Sequence, residues 1–437
     1  MLDALARLNP FKTPDARRLA ALFAVVYFAQ GMWYLPKQPI TIVLKDRGLT
    51  AGQVADFFFL TTIPWLIKPV YGLVSDFVPL LGYRRKSYFV LMSSVAAVAG
   101  FVLAFGSLIQ TGPIATLTLA LPLSGVTTFT LVSGVGLFML MAVGLAFTDV
   151  LTDATMVENG RPRGLTGAFQ SVQWAAITAS AILVGVLGGS LAGQRDLHTA
   201  FFVSAAFPLA SLLLIVRFVH ESRAPSERAA FRETWYAIRT ALRQRDVWAV
   251  AGFLFFYTFS PSFGPAFTYH QTDTLRFSQE FIGALDALGS AAQVVGALVY
   301  APLSRRVRLK WLVVAAIGIS VAGTLAYLAY RGPVSAAIVT VAFGGIGMIT
   351  VLSFLDLAAK ACPRHVEATF FALLMSVYNG GVQVSENVGA RLYDRIGFTP
   401  LILISAAFTA AAWLLVPLVG IDRIEAQALK DAPVPAK

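Results

Sequence analysis

Apolar runs of about 20 residues or more recur along nearly the whole chain, separated by short polar or Pro/Gly turns. A helix rising about 1.5 Å per residue needs roughly 20 residues to cross the ~30 Å hydrocarbon core of a bilayer. Hydrocarbon offers no partner to a backbone N–H or C=O, so such runs must satisfy their hydrogen bonds internally, as helices. The runs fall near residues 18–42, 51–74, 87–108, 129–155, 166–191, 197–219, 247–271, 279–303, 309–330, 334–361, 366–394 and 398–420, which makes twelve spans. Composition agrees: 57% of the 437 residues are hydrophobic and 13% charged, against about 25% charged in soluble domains. The expected class is an all-α integral membrane protein with no sizeable soluble domain.

The formal net charge of +11 would suit a nucleic-acid partner, but its placement points to topology and away from nucleic acid. Of 34 Lys and Arg residues, 25 fall in the tail and the turns assigned to one side of the bilayer, 7 on the other and 2, Lys37 and Lys68, within spans. The excess marks the cytoplasmic side and puts both termini there. The N-terminus reads as a first spanning helix without a cleaved signal peptide. Cys362 is the single cysteine, which excludes an internal disulfide.

Arg217 to Asp246 is the longest charged stretch between spans. Within it Arg228, Arg232, Arg239 and Arg243 alternate with Trp235, Ile238 and Leu242 at helical spacing, the pattern of an amphipathic helix on the inner leaflet or of a solvated linker. It separates two halves that repeat weakly. Asp153 near the end of span four has a counterpart in Asp356 near the end of span ten, each followed by a Pro/Arg turn. The expected organisation is a six-helix half over 1–220, a linker over 221–246, a second six-helix half over 247–420 and a cytoplasmic tail over 421–437. Internal symmetry of this kind is common in secondary transporters.

No GxxxxGK, no HExxH and no cysteine cluster is present, so nothing calls for a nucleotide, a metal or another cofactor, and the chain does not read as an enzyme. The informative residues are polar ones inside apolar helices. In span one Gln30, Tyr34, Lys37, Gln38 and Thr41 share a helical face. In span eleven Asn379, Gln383, Glu386 and Asn387 do the same beside Tyr378. Such stripes line an aqueous cavity or serve as hydrogen-bonding glue between helices. By depth, Lys37, Asp286 and Glu386 lie toward the outside, and Lys68, Asp149, Asp153 and Asp356 toward the cytoplasm. Lys68 either pairs with Asp149 or Asp153, one turn apart on span four, or meets an anionic ligand, because a bare charge at mid-bilayer is costly. Asp286 shares a face with Gln293 and would carry a proton if its surroundings were dry. Trp33, Trp65, Tyr257, Tyr269 and Tyr378 offer rings to a planar ligand or to packing. Trp174 stands among Gln170, Ser171 and Gln173.

The stretch Gly72 to Lys86, with Gly72, Asp76 and the basic Arg84-Arg85-Lys86, resembles the cytoplasmic loop signature of the major facilitator superfamily. Its lengthened form, with PWLIKPVYG before it and GYRRKSY around the basic residues, looks like the folate-biopterin transporter family. Gln30-Gly31, Leu44-Lys45-Asp46, Asp149-Val150, Asp153-Ala154, Gly167 and Gln170-Ser171 add to the resemblance, which is concentrated in residues 27–190. It implies a twelve-helix major facilitator fold and a monomeric, proton-linked symporter of the cell inner membrane. Such a carrier takes folates or pterins by alternating access. Substrate would meet Gln30, Tyr34, Lys37, Lys68, Gln170, Gln173, Trp174, Tyr257, Gln293, Tyr378, Asn379 and Gln383. Protons would use Asp149, Asp153, Asp286 and Glu386, and Gly72, Asp76, Arg84 and Arg85 would latch the cytoplasmic side against the N-terminal end of span eleven. Another aromatic or anionic solute, or a non-transporting assembly or pigment-handling role on the same fold, are the alternatives.

Overall fold

The computed structural model describes residues 10–121, 125–218, 221, 235–236, 239–240, 242–362 and 367–431. Most of the expected linker helix lies outside these residues. The elements are α1 (Pro14–Met32), α2 (Lys37–Asp46), α3 (Ala51–Leu66), α4 (Lys68–Phe77), α5 (Lys86–Gly106), β1 (Ile114–Leu121), β2 (Gly125–Val132), α6 (Val135–Arg163), α7 (Thr166–Gln194), α8 (Leu197–Phe218), α9 (Arg245–Thr258), α10 (Pro265–Tyr269), α11 (Gln279–Arg306), α12 (Leu309–Ala326), α13 (Pro333–Lys360), α14 (Glu367–Ile396), α15 (Phe398–Ala411) and α16 (Ile421–Asp431).

Ten segments among the described residues are long and apolar enough to cross a membrane. Two of the twelve expected spans fall short for physical reasons. The seventh is cut in two: α9 stops at Thr258, and Pro261, Gly264 at φ +45° and Pro265 at the first turn of α10 prevent its continuation. The eleventh, α14, is one unbroken helix of 30 residues, but Asn379, Gln383, Glu386, Asn387 and Arg391 lower its apolarity. The architecture is that of a helical membrane bundle, consistent with twelve spans.

Three expectations are corrected. Span one is not a continuous helix over 18–42: α1 ends at Met32, and residues 33–36 form tight turns before α2. Pro36 lacks a donor, and the chain there is closed by i→i+3 bonds, from Trp33 to Gln30, Tyr34 to Gly31, Leu35 to Met32 and Lys37 to Tyr34, in place of the α-helical ladder. Span two breaks at Ile67 between α3 and α4, flanked by Pro64 and Pro69. Span four starts at Val135, not near 129, because residues 114–132 form a β-hairpin, with Thr118 facing Thr128 across it. The expected tail also begins with a helix, α16. Its Asp422 binds Lys310 at 2.7 Å, its Glu425 accepts the Leu309 N–H, and its Arg423 pairs with Asp246.

The chain divides into two compact units: Met1–Val43 with Val70–Ile114 and Val132–Glu227, and Leu44–Pro69 with Ala115–Leu131 and Arg228–Lys437. In the first, α5 packs on α6 and α8, and α1 on α7 and α8; Phe23, Tyr27, Met156, Phe169 and Ala176 form a buried cluster. In the second, α11 packs on α13, α12 on α13 and α15, and α14 on α3 and α9. Its main core joins Val250, Phe253 and Leu254 to Val313, Ile317, Phe354, Leu357, Ile421 and Ile424. Local signals fit these helices. Thr13 accepts the Ala16 N–H ahead of Pro14, and Thr50 and Gln53 form a reciprocal capping box on α3.

Candidate functional site

In the first unit the central polar group is Asp153 on α6. Its Oδ1 accepts the hydroxyl of Tyr27 on α1 and, at 3.4 Å, the amide of Gln173 on α7. Three helices thus meet at one carboxylate, and Asp149, one turn earlier, is 3% exposed. The structure therefore brings Asp153 and Gln173 together. Tyr27 was missed because a lone tyrosine on an apolar helix reads as packing. Gln30 lies one turn on, with its carbonyl oxygen buried and without a hydrogen bond among the described residues. Tyr34 and Trp174 are each 47% exposed, Gln170 is exposed, and Lys37 opens α2, its carbonyl accepting the Thr41 hydroxyl.

The basic turn of this unit is an ion-pair network. Arg85 reaches Asp76 at 2.6 Å, Glu158 at 2.9 Å and the Ser75 hydroxyl at 2.7 Å. Burial opposes the Arg85 charge, but Asp76 and Glu158 outweigh it and hold its pKa above the ordinary value. Glu221 accepts the backbone N–H groups of Arg84, Arg85 and Lys86 at 2.9, 3.1 and 2.8 Å, placing a carboxylate at the positive end of α5. Gly72 meets only ordinary contact with Val150. The expected seat of this latch, the N-terminal end of span eleven, begins at residue 366, which lies outside the described residues.

In the second unit Lys68 opens α4 with its ammonium 4.9 Å from the centre of the Trp65 ring, a cation–π contact. Asp286 and Gln293 of α11 are both exposed. Asp356 pairs with Lys360 at 2.8 Å and accepts the Tyr300 hydroxyl at 3.4 Å. Tyr257 shares a hydrogen bond with Ser320 and lies against Phe354, and Tyr378 packs on the same core. Asn379, Gln383 and Glu386 are half-buried.

A second charged network, on α3 and α14, was not anticipated. Asp56, 1% exposed, receives Asn387 Nδ2 at 2.9 Å, Arg391 Nη2 at 2.5 Å and the Thr130 N–H at 2.9 Å. Asp394 accepts the N–H groups of Ala51 and Gly52 at the start of α3. Nearby, Tyr269 donates to the Leu49 carbonyl and Lys45 meets Asp273 at 2.5 Å. Asn387 thus leaves the expected α14 stripe for this network. The sequence did hold a signal, since an acid within AGQVADFFFL needs a partner. The partner, Arg391, lies 335 residues away in sequence.

Close helix contacts accompany the charges. A Cβ on Gly389 would lie 1.7 Å from the Ser262 carbonyl oxygen, and one on Gly381 1.9 Å from the Thr258 hydroxyl. The small residues of α14 therefore let it pack on the broken α9–α10 span.

Paired charges inside spans, broken helices and small-residue packing are the build of a membrane carrier. The bundle has the major facilitator fold and is similar to three solved transporters. These are a D-xylose-proton symporter (TM-score 0.64, 13% identity, covering 91% of this chain and 96% of that one), the nucleoside transporter NupG (0.65, 14%, 93% and 98%) and a POT family transporter in complex with 5-aminolevulinic acid (0.67, 12%, 93% and 96%). The chain belongs to the BT1 family, whose model matches residues 30–330 and 333–418. It is 31% identical over 399 residues to a folate-biopterin transporter of Synechocystis sp., covering 86% of this chain and 74% of that one. It is 24% identical to the probable folate-biopterin transporter 4 of Arabidopsis thaliana, covering 86% and 89%. The protein is a multi-pass integral membrane transporter and not an enzyme.

Proposed function

We propose that this chain carries folate- or pterin-like solutes across the cell inner membrane as a monomeric, proton-coupled symporter, with two six-helix halves rocking around a central site. The observation that carries the substrate class is the 31% identity to the Synechocystis folate-biopterin transporter over most of both chains. The residues suit that chemistry. A pterin ring is flat and rich in donors and acceptors, matching Gln30, Gln170, Gln173, Asn379 and Gln383 and the rings of Tyr34 and Trp174. The carboxylates of a folate tail call for cations, and Lys37 and Lys68 each open a half-helix, where the helix end adds positive charge.

Asp153, with Asp149 one turn away, is the proton-binding pair in this reading. Protonation of Asp153 changes what it can accept from Tyr27 and Gln173 and so couples charge to the packing of α1, α6 and α7. Asp76 and Arg85 form the cytoplasmic latch, and both termini are cytoplasmic by the distribution of Lys and Arg. The test is thermal stabilisation of the purified protein by a panel of folates, pterins and unrelated aromatic anions, since a ligand of the folded state raises its stability. Stabilisation by folates or pterins is the expected result. Stabilisation by another aromatic anion alone would replace the substrate class.

A further inference from the structure

The hairpin β1–β2 joins α5 to α6 in sequence, and its second strand meets α3 and α14. In a strand, the C=O of one residue and the N–H of the residue two further on point to the same edge. Thr128 and Thr130 stand in that relation, and both are used. The Thr130 N–H donates to Asp56 Oδ2 at 2.9 Å, and the Thr128 carbonyl accepts from Arg391 Nη2 at 2.9 Å. A carboxylate on α3 and a guanidinium on α14 thus satisfy the free edge of β2 as a neighbouring strand would. Between the two threonines, Phe129 stacks on Phe59 of α3 with centroids 5.9 Å apart, and the Arg391 guanidinium lies 5.8 Å from the Phe129 ring.

The same two side chains pair with each other at 2.5 Å. The hairpin therefore binds the α3–α14 ion pair from the side and covers its acid: Asp56 is 1% and Thr130 4% exposed, while the Arg391 side chain stays 36% exposed. By sequence α3 is part of span two, in the first six-helix half, and α14 is span eleven, in the second. Rocking of the halves has to part them.

We propose that the β1–β2 hairpin is a clasp on the α3–α14 pair, held by the Thr128 carbonyl and the Thr130 N–H, and that the transport cycle requires its release. The rocking step rests on the function proposed above; the clasp itself does not.

Two arms test it on the full chain. The first needs no transport. Thr130→Pro deletes the backbone N–H that the strand edge gives to Asp56, at a position where proline is tolerated, while Thr130→Val keeps it. Loss of a hydrogen bond to a buried charge should speed amide exchange across Ala51–Phe59 by about tenfold in Thr130→Pro and leave it unchanged in Thr130→Val. Equal exchange in both variants would overturn the clasp. In the second arm, Phe129→Cys/Arg391→Cys, which joins the hairpin of the first half to α14 of the second across their 5.8 Å contact, is bridged in a Cys362→Ser background by a short reducible bis-thiol reagent in proteoliposomes. Bridging should abolish counterflow of labelled folate or pterin, and reduction should restore it. Counterflow at the same rate while bridged would overturn the required release. Absence of counterflow in the unsubstituted chain would instead count against the transport reading, leaving the exchange arm to decide the clasp.

Discussion

The two charged networks of the molecule are built in opposite ways. Around Arg85 the acids are accessible, with the side chains of Asp76 and Glu158 45% and 55% exposed, and two of the partners, Ser75 and Asp76, lie within ten residues of the arginine. Around Asp56 the carboxylate is 2% exposed, and its partners come from α14 and from a hairpin. The first joins half-exposed acids to an arginine that is itself 12% exposed, at the end of a span, where water reaches one partner of each pair and screens it. The second is a buried charge whose cost is met only if every partner stays in place. A protein that must move can rearrange the first cheaply, whereas the second holds one arrangement until all its bonds are released together.

The sharpest way to break this contrast is to remove one acid from each network. Asp56→Ala removes the carboxylate that Arg391, Asn387 and the Thr130 N–H share and should destabilise the protein by about 3–5 kcal/mol in chemical or thermal unfolding. Asp76→Asn should cost under about 1 kcal/mol. It should nonetheless slow transport, with ligand affinity kept within a few-fold. Equal stability losses would erase the distinction, and unchanged flux in Asp76→Asn would remove the cytoplasmic latch.

Packing next to the buried network gives the next largest effect. Gly389→Ala must push the Ser262 backbone away, at about 1–3 kcal/mol, read as a lower unfolding temperature. Tyr27→Phe, which deletes the hydroxyl held by Asp153, should cost about 1 kcal/mol and shift the pH dependence of transport more than that of stability. The smallest effect concerns Asp196, which accepts the Thr199 N–H at 2.9 Å ahead of α8. Burial raises its pKa, but the Thr199 hydroxyl and N–H outweigh it, and the folded value lies below the ordinary one. Its stabilisation is therefore complete above the unfolded value of about 3.9 and is lost as pH falls through the folded value. Asp196→Asn should lower the unfolding temperature slightly at pH 7, change it little below the folded value, and so flatten the fall between them.

The same contrast explains what could be read from residues alone. Spans are local features, so the apolar runs located most of them, and the clustering of Asp76, Arg84 and Arg85 identified a charged turn. The breaks at residues 33–36 and at Ile67 were signalled by Pro36, Pro64 and Pro69, but a membrane-length apolar run overrode them. The hairpin was signalled too, by Thr and Val alternating with apolar residues in IATLTLAL and GVTTFTLV; its apolarity merged it with the span that follows. Asp56 could have been flagged as an acid in need of a partner. That the partner was Arg391, with the backbone of β2 as a third party, depends on tertiary packing between segments hundreds of residues apart, which no local pattern encodes.

The most direct test of the central claim is counterflow of labelled folate or pterin into proteoliposomes containing the purified chain, with and without a pH gradient. The expected result is saturable uptake that the gradient accelerates and that Asp153→Asn uncouples from pH. No saturable uptake of any folate or pterin, by protein that is folded and inserted, would contradict it.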